Sequence, residues 1–238
     1  MKVKNDSLVH RNMPILIKET EKLVKYLQEL DYEELKSIWK CSDNLAKLNF
    51  ERIKGMDLYS NLTPAIIAFE GLQYQYMGAN VFTEDQFNYL EDHLRILSGF
   101  YGILKPFDGV VPYRLEMQSK FIHWKYKSAY EFWDRKIADQ LFSGTDTILN
   151  LASKEYSDSV IEYLPEDVDF VDCVFGEIIE GEVKQKGTLA KMARGEIVRF
   201  MAENKVQNIE GIKNFDRLGY NYREELSDRE EYVFVLED

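Results

Sequence analysis

The chain has 238 residues, 45% hydrophobic and 13% aromatic, which is enough for a substantial core and too apolar for a disordered chain. Its 42 acidic residues outweigh 30 basic ones, and the net charge of −12 excludes a protein that coats polyanions over its whole surface. Two cysteines, Cys41 and Cys173, stand in no C-x-x-C or Cys/His cluster, so neither a zinc site nor a disulfide framework is expected, and free thiols fit a reducing cytoplasm. No stretch approaches the roughly 20 apolar residues of a membrane span. The opening residues lack the apolar centre of a signal peptide. The expectation is a cytoplasmic protein without membrane contact.

In chain order, Ile15, Leu16, Leu23, Leu27 and Leu30 predict a helix over 14–30. Asp31 and Glu34 have the spacing of a capping box opening a short second helix, and Ser42 caps a third over 42–54. The apolar run Ala-Ile-Ile-Ala-Phe at 65–69 predicts a buried strand. Thr83 and Gln86 cap a helix over 83–97, striped by Phe87, Leu90, Leu94 and Leu97, with Gly99 just past its end. Residues 100–118, with Gly102, Pro106, Gly109 and Pro112, read as turns. An amphipathic helix is expected over 128–142, then a buried strand over 147–151 that runs into a helix start at 152–156. Residues 168–184 alternate about Gly181 as a β-hairpin, 188–204 form a helix, and Tyr232 to Leu236 close as a strand. Helices and strands interleave without a βαβ rhythm. The fold class is therefore α+β: a single domain over 1–238 with a mixed β-sheet surrounded by helices.

Four segments carry a resemblance. They are Leu97-Ser98-Gly99-Phe100-Tyr101-Gly102-Ile103-Leu104-Lys105-Pro106-Phe107-Asp108, Pro112-Tyr113-Arg114-Leu115-Glu116-Met117, Asn150-Leu151-Ala152-Ser153-Lys154-Glu155-Tyr156 and Ala190-Lys191-Met192-Ala193-Arg194-Gly195. In order and spacing the chain resembles the YaaA family of prokaryotic peroxide-stress proteins from about residue 13 onward. The resemblance implies a mixed α/β fold of its own type, cytoplasmic location, and a role in lowering free iron and oxidative damage. It also implies DNA binding through a positively charged cleft with a helix-hairpin-helix element. The chain departs from the family at its start. Relatives open with an apolar strand leading into Ser-Pro-Ala-Lys, whereas this chain opens Met1-Lys2-Val3-Lys4-Asn5-Asp6-Ser7. A sheet without that strand exposes a neighbour's edge, and the role of the missing lysine is not carried over.

Charge is segregated along the chain. Residues 95–136 and residues 184–217 each hold eight Lys/Arg against four acids, leaving −20 for the remainder. If the two windows face each other they form a positive cleft on an acidic body, which admits a phosphate backbone; the alternative is ordinary solvated faces. The candidate nucleic-acid or anion contacts are Lys105, Arg114, Lys191 and Arg194, and the expected partner is double-stranded or structured DNA. Lys191 and Arg194 stand three apart on one helix face, next to the small residues Ala190, Ala193 and Gly195, which would let a ligand or another backbone approach. Arg199 faces elsewhere, towards an acid such as Glu203. Phe100, Tyr101, Tyr113, Phe121, Trp124 and Tyr126 are candidates for base stacking or for the core. The glycines of Leu97 to Gly102 could serve as a phosphate-binding hairpin.

A second reading is an enzyme of unknown reaction on a small anionic or nucleotide substrate. Arg114 and Glu116 would share a face in a strand, as a substrate grip and base or as a plain ion pair. Ser153 sits at a helix start with Tyr156 three residues on, as an anion site or a plain cap. Tyr113 would support either. Nucleophile-elbow, Walker and Rossmann signatures are absent from the sequence. His10, His93 and His123 are scattered, so no metal site and no cofactor is expected.

Overall fold

The computed structural model describes residue 1 and residues 8–237. The opening segment 2–7, where the sequence departs from the family pattern, lies outside the described residues.

Helix α1 (Ile17–Glu29) buries Leu23 and Leu27. Helix α2 (Tyr32–Trp39) opens on the expected capping box: Asp31 Oδ1 accepts the Glu34 N–H at 2.9 Å, and Glu34 Oε2 accepts the Asp31 N–H at 2.8 Å. Helix α3 (Asp43–Lys54) follows, with Ser42 at the cap position but without a side-chain cap bond. Strand β1 (Thr63–Pro64) runs straight into α4 (Ala65–Ala68), where a strand was expected. All four α4 residues are buried, so the apolar run has no period by which helix and strand differ. The N–H groups of Ala65 and Ile66 donate to the carbonyls of Asp108 and Pro106 instead of to a ladder.

Helix α5 spans Leu72–Met77 and α6 spans Glu84–His93. The Thr83/Gln86 box is formed, but α6 stops before Leu94, because Ile96–Ser98 (β2) pairs with Gly102–Leu104 (β3) in an antiparallel hairpin. Leu97 is thus a strand residue, and Gly99 lies in the hairpin connection. Strand β4 (Gly109–Val110) pairs with β1. The helix expected over 128–142 is two, α7 (Ala129–Trp133) and α8 (Lys136–Leu141), interrupted where Asp134 takes a positive φ of 46°. The remaining elements are β5 (Thr147–Asn150), α9 (Lys154–Ile161), β6 (Asp169–Ile179), β7 (Glu182–Lys184), α10 (Gly187–Asn204), β8 (Tyr220–Tyr222) and β9 (Glu231–Leu236).

Residues cluster into two compact units. The first comprises Met1–Ala68, Leu94–Ser143 and Ala152–Leu164. Its fully buried side chains include Leu23, Leu27, Leu35, Phe100, Tyr101, Phe107, Phe132 and Trp133. The second comprises Phe69–His93, Gly144–Leu151 and Pro165–Asp238. It holds a five-stranded mixed sheet in the order β5-β6-β9-β8, with β7 hairpinned onto β6. β5, β6 and β9 are parallel and β8 is antiparallel to β9. β5 is the outer strand of this order, and its residues are half-buried where full burial was expected. Val171, Cys173 and Phe175 of β6 share a core with Ala190, Ala193 and Ile197 of α10, and Phe215 and Phe234 are among its other members. The architecture is α+β with a mixed sheet.

Candidate nucleic-acid interface

The cations singled out by the sequence divide between the units: Lys105 and Arg114 belong to the first, Lys191 and Arg194 to the second.

In the second unit most of the basic window is neutralised where it stands. Lys184 pairs with Glu180, Lys186 with Glu177, Lys205 with Asp85 and Lys213 with Glu210. Arg199 binds Glu203 at 2.8 Å, as its spacing suggests, and Arg217 reaches both Glu196 and Glu203. Such exposed pairs contribute little stability, but they cancel the local field. Lys191 and Arg194 are left, neither making an ion pair among the described residues. Lys191 is exposed and Arg194 half-buried. The Arg194 Nε is buried with no hydrogen-bond partner among the described residues. Burial pulls its guanidinium below the ordinary value, opposed by Cys173 and Asp172; a guanidinium stays charged regardless at neutral pH. Asp172 is occupied by the side-chain amide of Asn150, its cross-strand partner in the β5–β6 register. The window's positive charge therefore concentrates on one stretch of α10. The small residues beside it serve packing: a Cβ on Gly195 would meet the Gln73 carbonyl of α5 at 2.1 Å.

In the first unit, Lys105 lies exposed between β3 and β4 and makes no ion pair among the described residues. Arg114 donates to Glu116 Oε1 at 2.7 Å, so the ion pair expected as one alternative is formed, although residues 111–116 are not a strand. The Arg114 Nε is buried without a hydrogen-bond partner among the described residues. Tyr156 lies within electrostatic reach of both: burial pushes its hydroxyl pKa up, Glu155 and Glu116 push it further, and Arg114 opposes them. Neither the Tyr156 hydroxyl nor that of Ser153 makes a hydrogen bond among the described residues. Ser153 thus caps α9 through its carbonyl, which accepts from Tyr156 and Ser157. The Tyr113 hydroxyl lies 2.6 Å from Ser98 Oγ, and its ring stacks on Phe100. Glu155, which sequence reasoning passed over, joins this group by accepting the Gln118 N–H.

The structure decides two further alternatives. The Leu97–Gly102 segment is a β-hairpin and not the turn of a helix-hairpin-helix, because Gly99 is pressed against the Leu115–Glu116 backbone, 2.7 Å from where a Cβ would stand, and Gly102 holds a φ of 75°. Phe100, Tyr101 and Phe121 are core residues, and Trp124 stacks on Tyr26 at 4.2 Å, so these rings are not displayed for bases.

Among the described residues, no group of three His, Cys, Asp or Glu side chains is placed to hold a metal ion, and no helix is long and apolar enough to cross a membrane. Cys173 is buried, which pushes its thiol up, whereas Cys41 is half-exposed. Titration of the native protein with a thiol-reactive chromophore is expected to label Cys41 alone, with Cys173 reacting only after denaturation. Equal labelling of both would show that the core around Cys173 opens readily.

The chain matches the family described as Peroxide stress protein YaaA over residues 1–226. It is 51% identical to a UPF0246 protein of Pediococcus pentosaceus and 52% identical to one of Desulfitobacterium hafniense, in each case over 99% of this chain and 94% of the relative. A UPF0246 protein of Lachnoclostridium phytofermentans is 53% identical over 93% of this chain and 87% of its own length. With the family matched across nearly the whole chain and identities above one half, the chain belongs to the YaaA family of peroxide stress proteins.

Proposed function

We propose that this protein serves the peroxide stress response in the cytoplasm by binding DNA, double-stranded or structured, and that this binding limits free iron and oxidative damage. The observation that carries the reading is the Lys191–Arg194 pair, two cations that make no ion pair among the described residues on one stretch of α10 in a chain of net charge −12, although Asp172 acts on Arg194. A phosphate oxygen would meet the half-buried Arg194 guanidinium through its terminal N–H groups in a charge-assisted bond. Lys105 and Arg114 are further phosphate contacts from the first unit. Anisotropy with duplex, junction and single-stranded DNA at low salt tests the reading. Wild type is expected to bind with an affinity that falls as salt rises. Arg194→Glu is expected to weaken binding by about 10- to 100-fold. The Lys191→Ala/Arg194→Ala double variant is expected to melt like wild type while binding weakly. Undiminished binding by Arg194→Glu would remove α10 from the interface.

A second reading is supported by the first unit's polar group. Arg114, Glu116, Ser153 and Tyr156 would hold a small anionic or nucleotide substrate, with Arg114 gripping the anion and the two unbonded hydroxyls completing the shell. Thermal-shift screening with nucleotides and phosphate esters tests it. A melting temperature that no ligand moves would eliminate it.

A further inference from the structure

We propose that the loop 119–129 of the first unit is a second phosphate-contacting surface, presenting Lys120, Lys125 and Lys127 to a nucleic-acid backbone; this rests on the nucleic-acid reading above. The loop is closed at its base by backbone bonds from Phe121 to Lys127 at 2.8 Å and from Ala129 to Ser119 at 3.0 Å. Tyr26 pins its middle, the hydroxyl donating to the Ile122 carbonyl at 2.7 Å and accepting the Ile122 N–H at 3.0 Å. Between these anchors the side chains sort by chemistry. Phe121 is buried, and Trp124 lies flat on Tyr26 and packs on Phe132, while Tyr126 meets Trp124 and Phe132 edge-on. Lys120, His123, Lys125 and Lys127 are exposed.

None of the three lysines makes an ion pair among the described residues, although the chain carries 42 acids. Two acids touch the loop without pairing its lysine side chains. Glu34 holds the Asp31 cap and faces His123 at 3.5 Å, and Glu131 accepts the Lys127 backbone N–H. Lys125 lies 4.8 Å over the Tyr126 ring, a contact that orients its ammonium without cancelling its charge. A ring-backed loop pre-organises the three cations and so lowers the ordering cost of binding. A membrane surface fits less well, because interfacial binding gains from apolar side chains that insert, and here the rings are packed inward.

The test is the salt dependence of duplex binding by the full chain carrying Lys120→Gln, Lys125→Gln and Lys127→Gln together. Each phosphate contact contributes about one unit to the slope of log affinity against log salt. The triple variant is expected to lose about two to three units of slope and to bind at least tenfold more weakly, uniformly across sequences, with an unchanged melting temperature. Replacing the same three by Arg should restore the slope. If wild type binds DNA and the triple Gln variant keeps its slope, the loop assignment fails and the broader reading stands. If wild type binds no nucleic acid at any salt, both fail. Co-sedimentation with phosphatidylserine/phosphatidylcholine vesicles is the remaining arm: vesicle binding that the triple variant loses while its DNA binding is unchanged would overturn the assignment in favour of a membrane.

Discussion

Gly195→Ala is expected to destabilise the protein by about 2 to 4 kcal/mol, against the usual sign for a glycine inside a helix. In an ordinary helix interior that substitution stabilises by up to ~1 kcal/mol, because alanine has less backbone freedom to lose. Gly195 stands within α10, but the Cβ it would gain lies 2.1 Å from the Gln73 carbonyl oxygen and 2.9 Å from the Met77 nitrogen. Both are backbone atoms of α5, which cannot rotate aside as a side chain can. The two helices must separate, which uncovers Met77, buried beside this contact. Gly187, the first residue of α10, is the internal control, since a Cβ there meets nothing within 4 Å. Thermal denaturation should show Gly195→Ala melting roughly 5 to 15 °C below wild type and Gly187→Ala melting at or above it. A Gly195→Ala protein as stable as wild type would mean that the backbones are not in contact.

That position shows what sequence can and cannot disclose here. The cluster of small residues around Lys191 and Arg194 announces a close approach, but a ligand and a neighbouring backbone leave the same signature. Local signals read correctly because their physics is local: both capping boxes, the β6–β7 hairpin about Gly181, and the Arg199–Glu203 pair join residues within a few positions of each other. Errors arise where the deciding contact is remote. Residues 65–68 bury every face, so no periodicity reveals a helix whose first donors are satisfied by residues 106 and 108. The α6 stripe continues through Leu94 and Leu97 at helical spacing, yet pairing with β3 draws that segment into a strand. Helix 128–142 divides at Asp134, a residue type that tolerates positive φ and does not mark a break by itself. The charge windows are legible in sequence, but which cations remain uncancelled is not. Lys205 finds its acid at Asp85, 120 positions away, whereas Lys120, Lys125 and Lys127 find none among the described residues.

Trp133→Ala is expected to cost about 3 to 5 kcal/mol, the range for emptying a fully buried aromatic site. The ring is completely buried, and its Nε1–H donates to the Gly99 carbonyl at 2.8 Å. Its six-membered edge also occupies the space that a Cβ on Gly102 would need, 2.9 Å from where that Cβ would stand. Trp133 therefore bolts α7 to both glycines of the β2–β3 hairpin, and those glycines answer to this ring and to the Leu115–Glu116 backbone. Trp133→Phe separates packing from hydrogen bonding. It retains most of the ring volume but leaves the Gly99 carbonyl without that donor, a loss of about 1 to 3 kcal/mol. The order wild type, Phe, Ala in urea midpoint is the expected result. DNA affinity supplies the second readout. On the DNA-binding reading proposed above, a structural hairpin means that folded Trp133→Phe protein binds DNA as wild type does, since Lys191 and Arg194 lie in the other unit. A Trp133→Phe variant that keeps its fold and loses DNA binding would reopen the phosphate-binding alternative that the sequence allowed the hairpin glycines.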